Sequence, residues 1–340
     1  MKDFFLKYLL CLFVICSCTS QSNETTNESI EIPYYPFAEV SNYFAVKASL
    51  NDSEEGYFVY DSGGSYFYKV VVDSAFFYEN VNTGDLEEDR PRYGMARSWW
   101  HTYYKGTVRY KVAGVEFVYE DATIEVNSRY QRRNGNNNPK IVGTLGVDVF
   151  KDRITIINFK ENKIALLDTL IVDFDLNDFT SLDLQKPRDV RHFNEDHRFL
   201  SLGGFLTKTG SSKDGLFLLD TGLSGNEIII KSSFGRDLQF ERKESRKSGY
   251  NRDAEDWIWE SDTLIAGNVY KVNNVEIAVS KLSPTHDYIE NLVGGDGLLG
   301  LSFLKRFDIV ILDYINDKLY LKTNNTEANS MLPFQSPSKQ

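Results

Sequence analysis

The chain has 340 residues, with 38 Lys and Arg against 49 Asp and Glu, a net charge of −11. No basic stripe accompanies this acidic balance, so no nucleic-acid partner is expected. The cysteines are Cys11, Cys16 and Cys18, all close to the N-terminus. The rest of the chain therefore has no disulfide and no cysteine-based metal site. Its histidines, His101, His192, His197 and His286, show no metal-ligand spacing, and His192 and His197 fall in a charged stretch that reads as a solvated loop. A zinc hydrolase, a cysteine nucleophile and a bound cofactor are not expected.

Residues 1–17 combine Lys2 and Lys7 with a short apolar core from Leu9 to Ile15. That core is too short to span a bilayer and reads as a secretion signal. It ends Ile15-Cys16-Ser17-Cys18, which resembles the bacterial lipobox, with cleavage before Cys18 and lipid on its sulfur. Ordinary secretory cleavage nearby is the alternative. Residues 18–32 are polar and read as a flexible tether. The lipidated cysteine is followed by Thr19 rather than Asp, and that resemblance favours the outer membrane of a bacterial cell envelope over the inner.

From residue 33 onward, short runs rich in aromatic and β-branched residues favour strands, among them Tyr57–Tyr60, Val108–Val112 and Ile154–Ile157. Thr107–Val112 and Val115–Tyr119 flank Ala113-Gly114, a turn signal. Long helical periodicity is scarce, and the fold class is mostly β. The boundaries expected are a first lobe over 33–172, a connection over 173–198, a second lobe over 199–325 and a polar tail over 326–340. The charged stretches 84–92 and 235–255 read as solvated insertions.

Two lobes are expected because the chain repeats itself. Phe58-Val59-Tyr60-Asp61-Ser62-Gly63-Gly64 is matched by Phe217-Leu218-Leu219-Asp220-Thr221-Gly222-Leu223. Later, Gly143-Thr144-Leu145-Gly146 is matched by Gly297-Leu298-Leu299-Gly300. Strand pairs then follow both, turning at Asn162-Lys163 and Asp317-Lys318. Each half thus offers one aspartate on a tight turn at the end of an apolar strand. Gly63 and Gly222 let backbone approach closely, and the hydroxyls of Ser62 and Thr221 can stiffen the turns. A two-fold arrangement would bring Asp61 and Asp220 face to face. Carboxylates about 3 Å apart cannot both ionise and share one proton. One can then act as base on water while the other, protonated, polarises a carbonyl.

On these motifs the halves resemble those of pepsin-type and retropepsin-type aspartic proteases. The resemblance covers roughly residues 40–322 and is sharp at the four repeat blocks. It implies a two-lobed acid-protease barrel fold with a pseudo-two-fold internal repeat. It also implies an aspartic endopeptidase acting on peptide or protein, with Asp61 and Asp220 catalytic and a monomer sufficient. Short helices are implied at Val147–Lys151 and Ser302–Lys305, capped by Asp148 or Ser302. A flap hairpin over the cleft would place Trp99, Trp100 and Tyr103, and in the second half Trp257 and Trp259, as aromatic walls for substrate. Ordinary packing is the competing account of these aromatics. Pepsin-like disulfides are missing, Ser62 stands where Thr is commoner, and Thr144 interrupts an apolar pair. The alternative function is an inactive envelope lipoprotein that binds peptide or glycan in its cleft. A third reading leaves the two aspartate turns as strand caps in a structural lipoprotein.

Overall fold

The computed structural model describes residues 31–40, 42–64, 69–93, 100–128, 130, 139–169, 175–187, 195–239, 242–247, 255–266, 270–280 and 294–323. The signal, Cys18, most of the tether, Trp99 and the polar tail lie outside these residues. All elements belong to Ile32–Gln340, which forms one compact unit.

The first half runs β1 (Tyr35–Val40), β2 (Tyr43–Leu50), β3 (Gly56–Tyr60), β4 (Val70–Asp73), α1 (Ser74–Asn80), β5 (Leu86–Tyr93), β6 (Trp100–Val112), β7 (Val115–Asn127), β8 (Ile141–Leu145), a single 3-10 turn (Val147–Val149), β9 (Ile154–Asn158) and β10 (Lys163–Leu167). The second runs β11 (Thr180–Gln185), β12 (Phe199–Leu206), β13 (Ser212–Asp220), β14 (Ile228–Ile230), α2 (Ser232–Gly235), β15 (Arg242–Lys247), β16 (Glu255–Ala266), β17 (Tyr270–Ser280), β18 (Gly297–Gly300), α3 (Leu301–Leu304), β19 (Ile309–Asp313) and β20 (Lys318–Lys322). The expected mostly-β, internally repeated fold is present. Within the connecting stretch 173–198, Thr180–Gln185 is a strand rather than plain linker.

The repeat extends to pairing. β3 runs parallel to β8, and β13 runs parallel to β18. β4 lies antiparallel to β8 and parallel to β7, and β14 does the same with β18 and β17. The halves join through one antiparallel sheet in the order β1, β10, β9, β19, β20, β11. At its centre Ile156 pairs with Ile311, which puts the pseudo-two-fold axis between them. Every residue of β9 is buried. That burial on both faces explains why Ile-Thr-Ile-Ile reads as a near-continuous apolar run instead of an alternating one.

Local signals account for the turns. Ala113 and Gly114 have φ of 47° and 76°, as a two-residue hairpin between β6 and β7 demands. Asn162 and Asp317 both have φ of 54°, a left-handed conformation that these side chains tolerate.

Three expectations need correction. The charged stretches 84–92 and 235–255 are not mere insertions. Leu86–Tyr93 and Arg242–Lys247 each form an arm of a long hairpin, paired with β6 and β16. Charge lowers strand preference, but in a ribbon such side chains reach water, as exposed Glu87 and Glu88 do. The short helices are not capped by Asp148 or Ser302. Gly146 and Gly300 occupy the cap positions without side-chain bonds, and Asp148 instead meets Lys69 Nζ at 2.5 Å. His197, expected in a solvated loop, is fully buried.

Because β9 and β19 are shared, the two lobes should unfold together. Ile156→Ala should cost about 2–5 kcal/mol. Denaturant titrations followed by far-ultraviolet circular dichroism and by fluorescence should then give one coincident midpoint, lower than the parent's.

Candidate active site

The last residues of β3 and β13 before each aspartate, Phe58–Tyr60 and Leu216–Leu219, are apolar and buried, so both aspartates emerge at the end of a core strand. Each is followed by the same turn. Gly64 N–H donates to Asp61 O at 3.2 Å, and Leu223 N–H donates to Asp220 O at 3.1 Å. Gly63 N–H also donates to Asp61 Oδ1 at 3.0 Å.

The two turns are locked to each other. Ser62 N–H donates to Thr221 Oγ1 at 2.9 Å, and Thr221 N–H donates to Ser62 Oγ at 3.1 Å. The hydroxyls reach past the partner turn to its strand. Ser62 Oγ donates to Leu219 O at 2.9 Å, and Thr221 Oγ1 donates to Tyr60 O at 2.5 Å. Ser62 and Thr221 are almost inaccessible to solvent. Loss of either hydroxyl would leave buried partners unsatisfied, at about 1–3 kcal/mol for each group.

This lock explains the glycines. A Cβ on Gly63 would lie 2.5 Å from Asp220 Cγ, and one on Gly222 would lie 2.3 Å from Asp61 Cγ. Each turn is packed against the opposite carboxyl, and only glycine leaves it room. Gly64 serves Asp61 likewise, since a Cβ there would lie 2.7 Å from Asp61 Oδ2.

The carboxyls of Asp61 and Asp220 come within hydrogen-bonding reach of each other. Burial pushes the Asp220 carboxyl well above the ordinary carboxylate range, and the Asp61 charge and hydrogen bond push it the same way. Backbone N–H groups of Leu223 and Gly222 favour the anion but are outweighed. The pair holds one proton between two oxygen-rich groups and titrates as a unit. Such a centre can take a proton from water on one side and donate one on the other.

The remaining sequence candidates fare differently. Tyr103 is fully buried and stacks on His101 at 6.5 Å, so it packs within the lobe instead of lining a cleft. His101 Nδ1 in turn lies 2.5 Å from Glu125 Oε1. Trp100 lies on β6, and Trp257 and Trp259 lie on β16. Trp99 and Cys18 fall outside the described residues. Thr144 does not disturb its strand, because its hydroxyl is bonded to Tyr130. Sequence reasoning missed Arg198 and Tyr314, which lie behind the Ser62 turn. Their codes gave no signal, one sitting in a charged stretch and the other in an apolar strand pair.

Neither a protein-family model nor a curated protein sequence matches the chain. Among solved structures, an aspartic proteinase from Irpex lacteus is similar at 13% identity with a TM-score of 0.48, over 88% of this chain and 99% of that one. Basic 7S globulin from soybean is similar at 8% identity with a TM-score of 0.45, over 88% of this chain and 96% of that one.

The raised Asp220 value has a consequence for stability. A carboxyl whose folded value exceeds its unfolded value favours folding while it is protonated in the native state. That advantage is lost as pH rises from the unfolded value, 3.8, through the folded one. Asp220→Asn removes the ionisation penalty. Thermal melts should show the variant more stable than the parent at neutral pH, with the gain vanishing at about pH 3.

Proposed function

We propose that the chain is an aspartic endopeptidase, hydrolysing peptide bonds with a water activated between Asp61 and Asp220. The observation that carries this reading is the meeting of the two carboxyls at the end of two locked, symmetry-related turns. The ionised member of the pair takes a proton from the water, whose oxygen attacks the carbonyl carbon. The protonated member gives its proton to the carbonyl oxygen as negative charge grows there. A tetrahedral diol results, and its collapse breaks the carbon–nitrogen bond as the amine leaves with a proton from the pair and a diol hydroxyl returns one to it. No group other than the two carboxyls and water is required. Both aspartates come from one chain, so a monomer suffices.

The enzyme is proposed to sit in a bacterial cell envelope, held by lipid on Cys18, with the outer membrane favoured. Support comes from the short apolar signal, the cysteine at its end and the polar residues 18–32 that follow. Lipid chains and not a protein span would make the attachment. Radiolabelled palmitate should be incorporated by cells expressing the protein and not by cells expressing Cys18→Ser.

A soluble form beginning after Cys18 tests the activity. Incubated with a diverse peptide library from about pH 3 to 7, it should cleave, while Asp61→Asn and Asp220→Asn should not. Folded parent that cuts nothing at any pH would overturn the peptidase reading in favour of a binding cleft.

A further inference from the structure

The internal repeat allows each half to be compared with the other, residue by residue, around the catalytic turns. Ala45 faces Val59 across β2 and β3, and Phe199 faces Leu218 across β12 and β13. Val59 and Leu218 each stand two residues before an aspartate, so Phe44 and Arg198 are counterparts. Phe159 and Tyr314 are counterparts too. Each follows a strand of the central pair, and their N–H groups donate across it to Asp308 O at 2.8 Å and to Arg153 O at 3.1 Å.

These counterparts differ in kind. In the first half Phe44 and Phe159 pack as rings 6.3 Å apart, with Phe44 also edge-on to Tyr60 at 5.7 Å. In the second half the same places hold a buried guanidinium over a tyrosine ring, at 5.0 Å. Arg198 is held firmly: Nε donates to Asp317 Oδ1 at 2.6 Å, Nη1 to Glu195 O at 2.8 Å, and Nη2 to Tyr314 O at 3.3 Å. Phe150 packs on the other side, 5.5 Å from the Tyr314 ring and 4.4 Å from that of Tyr60.

A chain of hydrogen bonds runs from this pair to the first aspartate turn. Leu219 N–H donates to Arg198 O at 3.0 Å, and Leu219 O receives the Ser62 hydroxyl. The Tyr314 hydroxyl is fully buried and lies within reach of Ser62, yet no well-directed hydrogen bond closes there in this structure. Ser62 Oγ spends its one proton on Leu219 O, so toward Tyr314 it can only accept. The phenol proton is the donor this arrangement requires.

We propose that Tyr314, clamped by Arg198, is a positioning residue for the Asp61 turn: its hydroxyl, unpartnered in this structure, turns to donate to Ser62 Oγ and makes the two aspartates unequal. The inference rests on the peptidase reading only for its kinetic consequence. The hydroxyl dipole points its positive end at the Asp61 turn and favours ionised Asp61, leaving the shared proton with Asp220. Burial above all, helped by the charges of Asp196 and Asp61, holds the phenol itself above its ordinary range against the opposing pull of Arg198 and Ser62, so it keeps its proton. The other charged groups facing the tyrosine are Asp196, which pairs with Lys151 at 3.3 Å, and Asp61. Asp317 neutralises Arg198 from the far side, and Arg153 acts on the neighbouring Tyr60.

The test is Tyr314→Phe, which installs the residue that the first half already carries at this place. Its melting temperature should stay close to the parent's. The turnover rate should fall about tenfold with KM unchanged, because the groups that touch substrate are retained while their alignment is loosened. Loss of the dipole raises the lower apparent pKa of the pair, so the acid limb of the rate profile should move up by about half a pH unit. Carbon-13 titration of the aspartate carboxyls reads the same shift in protein that cuts nothing, which separates this inference from the peptidase reading. Arg198→Met should give a change in the same direction. A Tyr314→Phe protein whose carboxyl titration matches the parent's would overturn the proposal.

Discussion

Four hydrogen bonds between the Ser62 and Thr221 turns hold the centre of this protein together, and the rest of the architecture supplies the conditions for them. Each hydroxyl accepts from the opposite backbone N–H and donates to a carbonyl of the opposite strand. Neither turn satisfies all of its own buried polar groups. Each half is therefore incomplete without the other, and the carboxyls are pressed together by the same contacts. Glycine at 63 and 222 follows from that proximity, since any larger residue would displace the facing aspartate.

Pressing two carboxyls together in a buried place is unfavourable in itself, and the shared β9–β19 sheet opposes it. The sheet's central residues Ile156 and Ile311 are fully inaccessible and lie on the pseudo-two-fold axis. The lobes cannot drift apart without breaking that pairing, so the carboxyls relieve their repulsion by holding a proton instead of by separating. Stability is thus traded for a centre whose proton can move at a pH where an isolated aspartate would have lost it.

Duplication explains the symmetry, and divergence explains what is not symmetric. The pairings of β3, β4, β7 and β8 recur in β13, β14, β17 and β18. The layers behind the turns do not recur. Phe44 and Phe159 fill one side with rings, while Arg198 and Tyr314 fill the other with a guanidinium and a phenol. A pair that divides into one acid and one base needs unequal surroundings, and a symmetric environment would not distinguish the two carboxyls. The buried cation sits where such a distinction can be made.

Much of this was legible in the sequence because it is local. An apolar strand ending in Asp, a hydroxyl residue and Gly is a contiguous pattern, and its second occurrence announced both the duplication and the paired carboxyls. Ala113-Gly114 and Asn162 likewise declare turns through backbone angles that few residues accept. Other features depend on which distant segments meet. Charged Leu86–Tyr93 became a strand because β6 offers it backbone partners and water receives Glu87 and Glu88. Tyr103 became core and not cleft because the lobe closed around it. Arg198 looked like one more charge in a polar linker, and only the approach of Asp317 and Tyr314 from the last hairpin makes its burial tolerable. Sequence alone determined the two turns and their chemistry, since those rest on neighbouring residues. Tertiary structure decided which groups surround them, since a buried charge or an orphaned hydroxyl is settled by partners more than a hundred positions away.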